Sequence, residues 1–304
     1  MTSLTVRWRC AAFALAALLL AAPLAHPQAP QAAPAANGRG LIWSVERGGR
    51  TGWLVGSLHM LTADAYPLPP ALDAAFARAD VLVEEADPEE LKAPAAAMQL
   101  LAKAMYPPGI TLQSQISKDA FDKIAARAER AGVPIERLQS LKPWMAALTL
   151  IGLELQRGGF DPALGLDQHF LSRAQSTGKK VRTLETALEQ IDFLESLSPQ
   201  LQEGLVTATL DSADTELAQL HGIAAAWKAG DPAPIERLLL TDMKSADAAV
   251  YDVLLLGRNR RWMPQIEECL ATARCFVVVG AGHLVGPDGL VAMLRARGYS
   301  VSQQ

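Results

Sequence analysis

The chain has 304 residues, half of them hydrophobic and 20% charged, and a formal net charge of −4. That length supports one large core or two modest ones, and the mild acidity argues against a nucleic-acid partner, whose binding domains show a basic stripe.

Arg7 and Arg9 precede an apolar run from Cys10 to Leu24, and Ala25-His26-Pro27 follows. This order is that of a secretory signal peptide, so residues 1–25 are expected to send the chain to the periplasm or outside the cell and then be removed. The alternative, a membrane anchor, needs roughly 20 spanning residues, more than this run offers. Contact with a membrane is therefore expected only through the export signal. Losing Arg7 and Arg9 takes the formal charge from −4 to −6. Residues 26–39 form a Pro/Ala/Gln linker with too few large apolar groups to offset the entropy of ordering, and 40–304 form the domain. Cys269 and Cys275 survive cleavage, and in an oxidising compartment they either close a small disulfide loop or remain two buried thiols.

Leu41 to Glu46 and Thr51 to Leu58 are β-favouring runs joined by Arg47-Gly48-Gly49-Arg50, whose glycines suit a tight hairpin. The second run ends in Gly56-Ser57-Leu58-His59. Pro69 to Arg78 reads as a helix, followed by the strand Val81-Leu82-Val83 and the acidic end Glu84-Glu85-Ala86-Asp87. The middle is helical: Pro88 to Tyr106 with an interruption at Pro94, Ser117 to Ala131, Pro143 to Gln156 and Leu166 to Gln175. After a short strand from Val181 to Leu184, helices continue over Glu185–Leu197, Pro199–Ala229, Ile235–Leu240 and Asp247–Leu270. The apolar strand Cys275 to Val279 leads into Gly280-Ala281-Gly282-His283, and the helix Gly289–Arg297 and the strand Tyr299–Ser302 close the chain. The expected fold is α/β in the broad α+β sense: a central mixed sheet built from the N- and C-terminal segments, with a long helical insertion between them. Such a sheet brings His59 and His283 together.

Two histidines just past glycine-ended strands are either turn residues satisfied by backbone or a pair of imidazole ligands, neutral His being the commonest nitrogen donor to divalent transition metals. Glu84 and Glu85 face opposite ways on a strand, so at most one joins the histidines. Two His and one carboxylate are the ligand set of several hydrolytic metal sites. Arg258 and Asn259 fall late in the run Tyr251–Arg261, where basic residues usually complement the helix dipole; turned inward, Arg258 would hold a substrate carboxylate or an oxyanion. Asp167 and Glu185 receive no role, and His169 and His221, without partners at ligand spacing, read as structural.

Gly56-Ser57-Leu58-His59, Ala79-Asp80-Val81-Leu82-Val83-Glu84-Glu85-Ala86-Asp87, Leu141-Lys142-Pro143-Trp144, Gly165-Leu166-Asp167-Gln168-His169-Phe170, Leu184-Glu185-Thr186, Arg258-Asn259 and Gly280-Ala281-Gly282-His283-Leu284 resemble, in that order, the TraB/GumN family, to which the Tiki proteases also belong. The resemblance runs from about Leu41 to Val301. It implies a fold of the erythromycin-esterase and ChaN-like kind, with His59 and His283 as metal ligands, Glu85 as the acid shared between metal and catalysis, and Arg258 as a catalytic partner in one cleft. Glu84 stands where the family generally has an apolar residue. The implied activity is that of an exported metal-dependent hydrolase, a peptidase, using Mn, Co or Zn on a peptide or small-molecule substrate. The alternatives are a non-catalytic protein of the same fold that binds a peptide or a ligand such as haem, and an inactive scaffold whose histidines brace the sheet.

Overall fold

The computed structural model describes residues 38–304 except 211, 212, 242, 245 and 246. The expected signal peptide, and all of the expected linker but Gly38 and Arg39, lie outside the described residues. Six strands form one sheet: β1 (Ile42–Arg47), β2 (Arg50–Ser57), β3 (Val81–Glu84), β4 (Lys180–Thr183), β5 (Cys275–Gly280) and β6 (Ser300–Gln303), in the order β4-β3-β5-β2-β1-β6. Strand β1 is antiparallel to both its neighbours, while β2, β5, β3 and β4 run parallel. The C-terminal strand β5 thus lies between the N-terminal strands β2 and β3, as the expected architecture requires. The β1–β2 connection needs positive φ at Gly48 (57°) and Gly49 (76°), a conformation open to glycine at little steric cost.

Ten helices of seven residues or more surround the sheet among the described residues: α1 (Pro70–Arg78), α2 (Pro94–Ala104), α3 (Lys118–Arg130), α4 (Pro143–Arg157), α5 (Leu166–Thr177), α6 (Ala187–Glu195), α7 (Pro199–Leu210), α8 (Ala213–Ala229), α9 (Gly257–Thr272) and α10 (Leu290–Ala296). None of the described helices is long and apolar enough to cross a membrane. The interruption at Pro94 is real, because Pro88–Lys92 is a 3-10 turn and α2 starts at Pro94. The expected Pro199–Ala229 helix is described as α7 and α8, on either side of residues 211 and 212. The expected Asp247–Leu270 run begins as a short helix (Ala248–Tyr251), widens to π geometry at Asp252–Leu256 and continues as α9.

Strand alternation assigns the faces. Phe276 of β5 meets Phe76 of α1 and Phe170 of α5 with ring centroids 5.5 and 4.7 Å away, so α1 and α5 cover one face. Arg258 and Trp262 of α9 reach the ends of the strands from the other. Leu82, Val277, Val278 and Val279 are at most 1% exposed, as a parallel sheet covered on both faces demands; each such side chain contributes about 1.5–3 kcal/mol. Cys269, late in α9, is disulfide-bonded to Cys275, the first residue of β5, which decides between the two states left open for this pair.

Gly56, the penultimate residue of β2, makes room for the second histidine motif. A Cβ there would stand 3.2 Å from the Ala281 Cα and 3.2 Å from the Leu41 Cβ, and its own N–H donates to Leu41 O at 2.8 Å. Gly56→Val is therefore expected to overpack this contact and lower stability by roughly 1–3 kcal/mol, read as a lower urea midpoint with unchanged slope. An unchanged midpoint would mean that the motif shifts freely.

Candidate functional site

Four parallel strands end on the same edge of the sheet, and each delivers polar groups there: Glu185 just past β4, Glu84 and Glu85 at the end of β3, Gly280 and His283 at the end of β5, Ser57 and His59 at the end of β2. The carboxyl edge of parallel strands is where open α/β sheets bind ligands. The alternation of β3 divides the acids: Glu84 turns to the α5 face and Glu85 to the α9 face, as two successive strand residues must. The choice between them as partner of the histidines and Arg258 falls on Glu85.

Arg258 is the centre of the α9 side. Its Nη2 donates to Glu85 Oε2 at 2.7 Å and to Glu185 Oε1 at 2.5 Å, and its Nε donates to Glu185 Oε1 at 3.1 Å. Its Nη1 donates to Leu254 O at 3.1 Å, in the π-helical turn, and to His283 Nε2 at 3.1 Å. All five guanidinium donors are thus engaged, so Arg258 organises two acids and a histidine, where the sequence alone suggested a free donor for substrate. It sits in the first turn of α9, not near a helix C-terminus as the run Tyr251–Arg261 implied. Glu85 also accepts from Gly280 N at 2.6 Å and Gln190 Nε2 at 3.2 Å, and Glu185 accepts from Trp262 Nε1 at 3.0 Å. Burial alone would raise the Glu85 pKa, but Arg258, His283 and His59 outweigh it and bring it down to about 2.

The two histidines differ. Asn259 Nδ2 donates to the backbone oxygens of His283 and Asp288, so its Oδ1 faces His283 and accepts from Nδ1 at 2.7 Å. His283 Nε2 is then the acceptor for Arg258, and burial beside that cation lowers its pKa to about 3. His59 Nδ1 lies 3.0 Å from Asp167 Oδ1, which also accepts from Ser57 Oγ. Burial disfavours charge on His59, yet the Asp167 carboxylate outweighs it and raises the pKa to about 9. Among the described residues no hydrogen bond holds His59 Nε2.

A Cβ built on Gly280 would lie 3.2 Å from Glu85 Oε1, 3.5 Å from His59 Nε2 and 3.6 Å from His283 Cδ2. His59, His283, Glu85 and Arg258 therefore gather around one point, and the absent side chain at Gly280 leaves the space. The three expected metal ligands do not fit a shared ion while Arg258 is seated, because its N–H groups occupy the inward lone pair of His283 and one oxygen of Glu85. Among the described residues no three His, Cys, Asp or Glu side chains form a ready metal site. Asp167 and Glu185 were missed as site residues. Glu185 repeats the acid-after-strand pattern of Glu84-Glu85 and was open to the same reading, whereas Asp167, at a helix start, carries no spacing signal. His169 lies edge-on to Phe170 and His221 tilted against Phe160, at centroid distances of 5.1 and 5.0 Å.

Two hollows flank the site. On the α5 side one of about 520 Å³, its open mouth included, takes its polar groups from Ser57, His59, Glu84, Glu85, Asp167 and Gln168, with Leu171, Val278 and Val279 as apolar lining. On the α9 side a cleft of about 830 Å³ has apolar walls that include Leu155, Phe160, Leu220, Ile223 and Met243. Ser57, His59 and Glu85 line both.

This chain belongs to the TraB/PrgY/gumN family, whose profile matches residues 41–303. It is 29% identical over 248 residues to "Uncharacterized protein YbaP" of Shigella flexneri, covering 82% of this chain and 89% of that protein. It is 28% identical over 268 residues to the protein of the same name from Escherichia coli (strain K12), covering 84% and 97%. No solved structure matches significantly.

Two predictions follow from the ion pairs. Arg258→Ala leaves Glu85 and Glu185 buried without their cation, so a loss of about 3–5 kcal/mol is expected in chemical denaturation, and a loss below 1 kcal/mol would contradict the central role given to Arg258. His59 has a raised pKa in the folded state, so its pairing with Asp167 stabilises fully below the ordinary value near 6.5 and the contribution fades as pH rises through about 9. An NMR titration should place His59 near that value and Asp167→Asn should lower it by more than one unit.

Proposed function

We propose that this protein is a hydrolase of acyl bonds, acting on peptides, in which the neutral form of His59 takes the proton from an attacking water at Nε2. The observation that carries this reading is the His59–Asp167 pair: Asp167 fixes Nδ1 and leaves Nε2 at the junction of the two hollows, the arrangement that aims a general base. Ser57 donates to the same carboxylate oxygen and helps fix it. Arg258 holds Glu85, Glu185 and His283 as a rigid wall opposite, and the apolar cleft beside them accommodates the side chains of the substrate. Entry of the chain into an oxidising compartment through residues 1–25 belongs to the same reading, and the Cys269–Cys275 disulfide supports it.

A second reading, a metal-dependent hydrolase, is favoured by one observation. Each imidazole has its Nδ1 held by a side-chain oxygen and its Nε2 turned inward, as ligand histidines have. His59, His283 and Glu85 would then hold a Mn, Co or Zn ion after Arg258 withdrew from His283, and the ion would supply Lewis-acid chemistry.

The experiment is hydrolysis of a peptide library and of p-nitrophenyl acyl esters by the mature chain, with and without a chelator. Turnover that survives chelation and falls at least 100-fold in His59→Ala and Asp167→Asn upholds the first reading. Stoichiometric metal lost in His59→Ala and His283→Ala, with activity lost on chelation, selects the second. No turnover by the wild type in either condition sinks both.

A further inference from the structure

The carboxylates around the site are matched to cations with one exception. Glu85 and Glu185 share Arg258, with N–O distances of 2.7 and 2.5 Å, and Asp167 has His59 at 3.0 Å. Glu84 has no ion pair among the described residues. It is 2% exposed, and its Oε1 is buried without a hydrogen-bond partner. A buried acid oxygen without a partner costs on the order of 1–3 kcal/mol, and burial, with Asp167, Asp87 and Glu85 nearby, holds the Glu84 carboxyl well above the usual carboxylate range, a state that a cationic donor would reverse.

Glu84 lines the hollow on the α5 side, together with Ser57, Asp167, Gln168 and Gln190. Neither Lys nor Arg lines it, and its one basic group, His59, is already paired with Asp167. The hollow thus offers acceptors, the Asp167 carboxylate and, in Glu84, an acid with no cation to pair it among the described residues. A ligand matching that set carries a positive charge and several N–H donors on a small head. No ready three-ligand metal set exists among the described residues, which favours an ammonium head over a bare metal ion.

We propose that the hollow formed by Glu84, Asp167 and Ser57 binds a primary ammonium group, so that substrates are held by a free amine beside His59. In substrate terms this deepens the hydrolase reading and rests on it: the amine in this hollow, the bond to be cut at His59 Nε2, and an apolar side chain in the cleft on the α9 side. The binding site itself stands without that reading. A peptide N-terminus and a lysine side chain present the same head, and the test separates them.

Calorimetric binding of leucinamide, N-acetyl-leucinamide and Nα-acetyl-lysinamide is measured on the wild-type mature chain and on Glu84→Leu. Glu84→Leu replaces an unpaired buried acid with an apolar group of similar size, so it should unfold at no lower temperature than the wild type. Leucinamide is expected to bind the wild type at least ten times tighter than it binds Glu84→Leu, and N-acetyl-leucinamide to bind both equally weakly. Glu84-dependent binding of Nα-acetyl-lysinamide alone upholds the ammonium site and assigns it to a lysine side chain. Equal affinity of the three compounds, affinity unchanged by Glu84→Leu, or binding of none of them overturns the proposal. In parallel, peptides with free and acetylated N-termini are offered for hydrolysis. Leucinamide binding through Glu84 with no hydrolysis of any peptide refutes the hydrolase reading and leaves the site standing. Equal hydrolysis of free and blocked peptides, with no amine binding, refutes the site and leaves the hydrolase reading standing.

Discussion

The buried guanidinium of Arg258 is the contact on which the arrangement of this edge depends. Removing a charge from water costs several kcal/mol, and two carboxylates removed beside it would cost more if each stood alone. Here Glu85, Glu185 and Arg258 are buried together, with Trp262, Gln190, the Gly280 amide and the Leu254 carbonyl completing their hydrogen bonds. Because the acids come from the ends of β3 and β4 and the cation from α9, the cluster closes the sheet edge only when all three elements are in register. The disulfide at the far end of α9 ties the same helix to β5, so Arg258 is positioned from both ends of its helix.

The π-helical turn at Asp252–Leu256 belongs to this constraint. A wider turn changes which carbonyls point along the helix, and Leu254 O within it accepts from Arg258 Nη1. Such turns are concentrated at functional sites because they re-aim side chains at a modest loss of regularity. Without it, α9 would begin at a different rotation, and the guanidinium would no longer meet both acids and His283.

Much of this was readable in the residues. Apolar runs ended by Gly56 and Gly280 marked the two strands that carry the histidines, and strands at both ends of the chain implied that they meet. The opposite facing of Glu84 and Glu85 followed from the two-residue period of a strand. What was not readable came from contacts distant in sequence. Asp167 lies 108 residues from His59, and Arg258 lies 73 residues from Glu185, so no local periodicity links them. The position of Arg258 was misjudged for a related reason: its basic cluster resembles a helix C-terminus, although the helix expected over Asp247–Leu270 already ran past it, as α9 does through Pro264 to Thr272.

The same Gly-x-x-His spelling yields two chemically opposite groups. His59 faces a carboxylate and is held with a pKa near 9, while His283 faces an amide oxygen on one side and a guanidinium on the other and is held near 3. At neutral pH the first is an imidazolium and the second a neutral acceptor, although both rings sit beside Gly280. The motif therefore specifies where an imidazole goes, through a strand end and a glycine that leaves space, and says nothing about its proton. That property is set by the surroundings: the Asp167 carboxylate for one ring, burial beside the Arg258 guanidinium for the other. Two imidazoles in opposite proton states thus sit around one glycine, held apart by side chains from α5 and α9, and the base role of His59 falls to its neutral form, whose share grows as pH rises toward about 9.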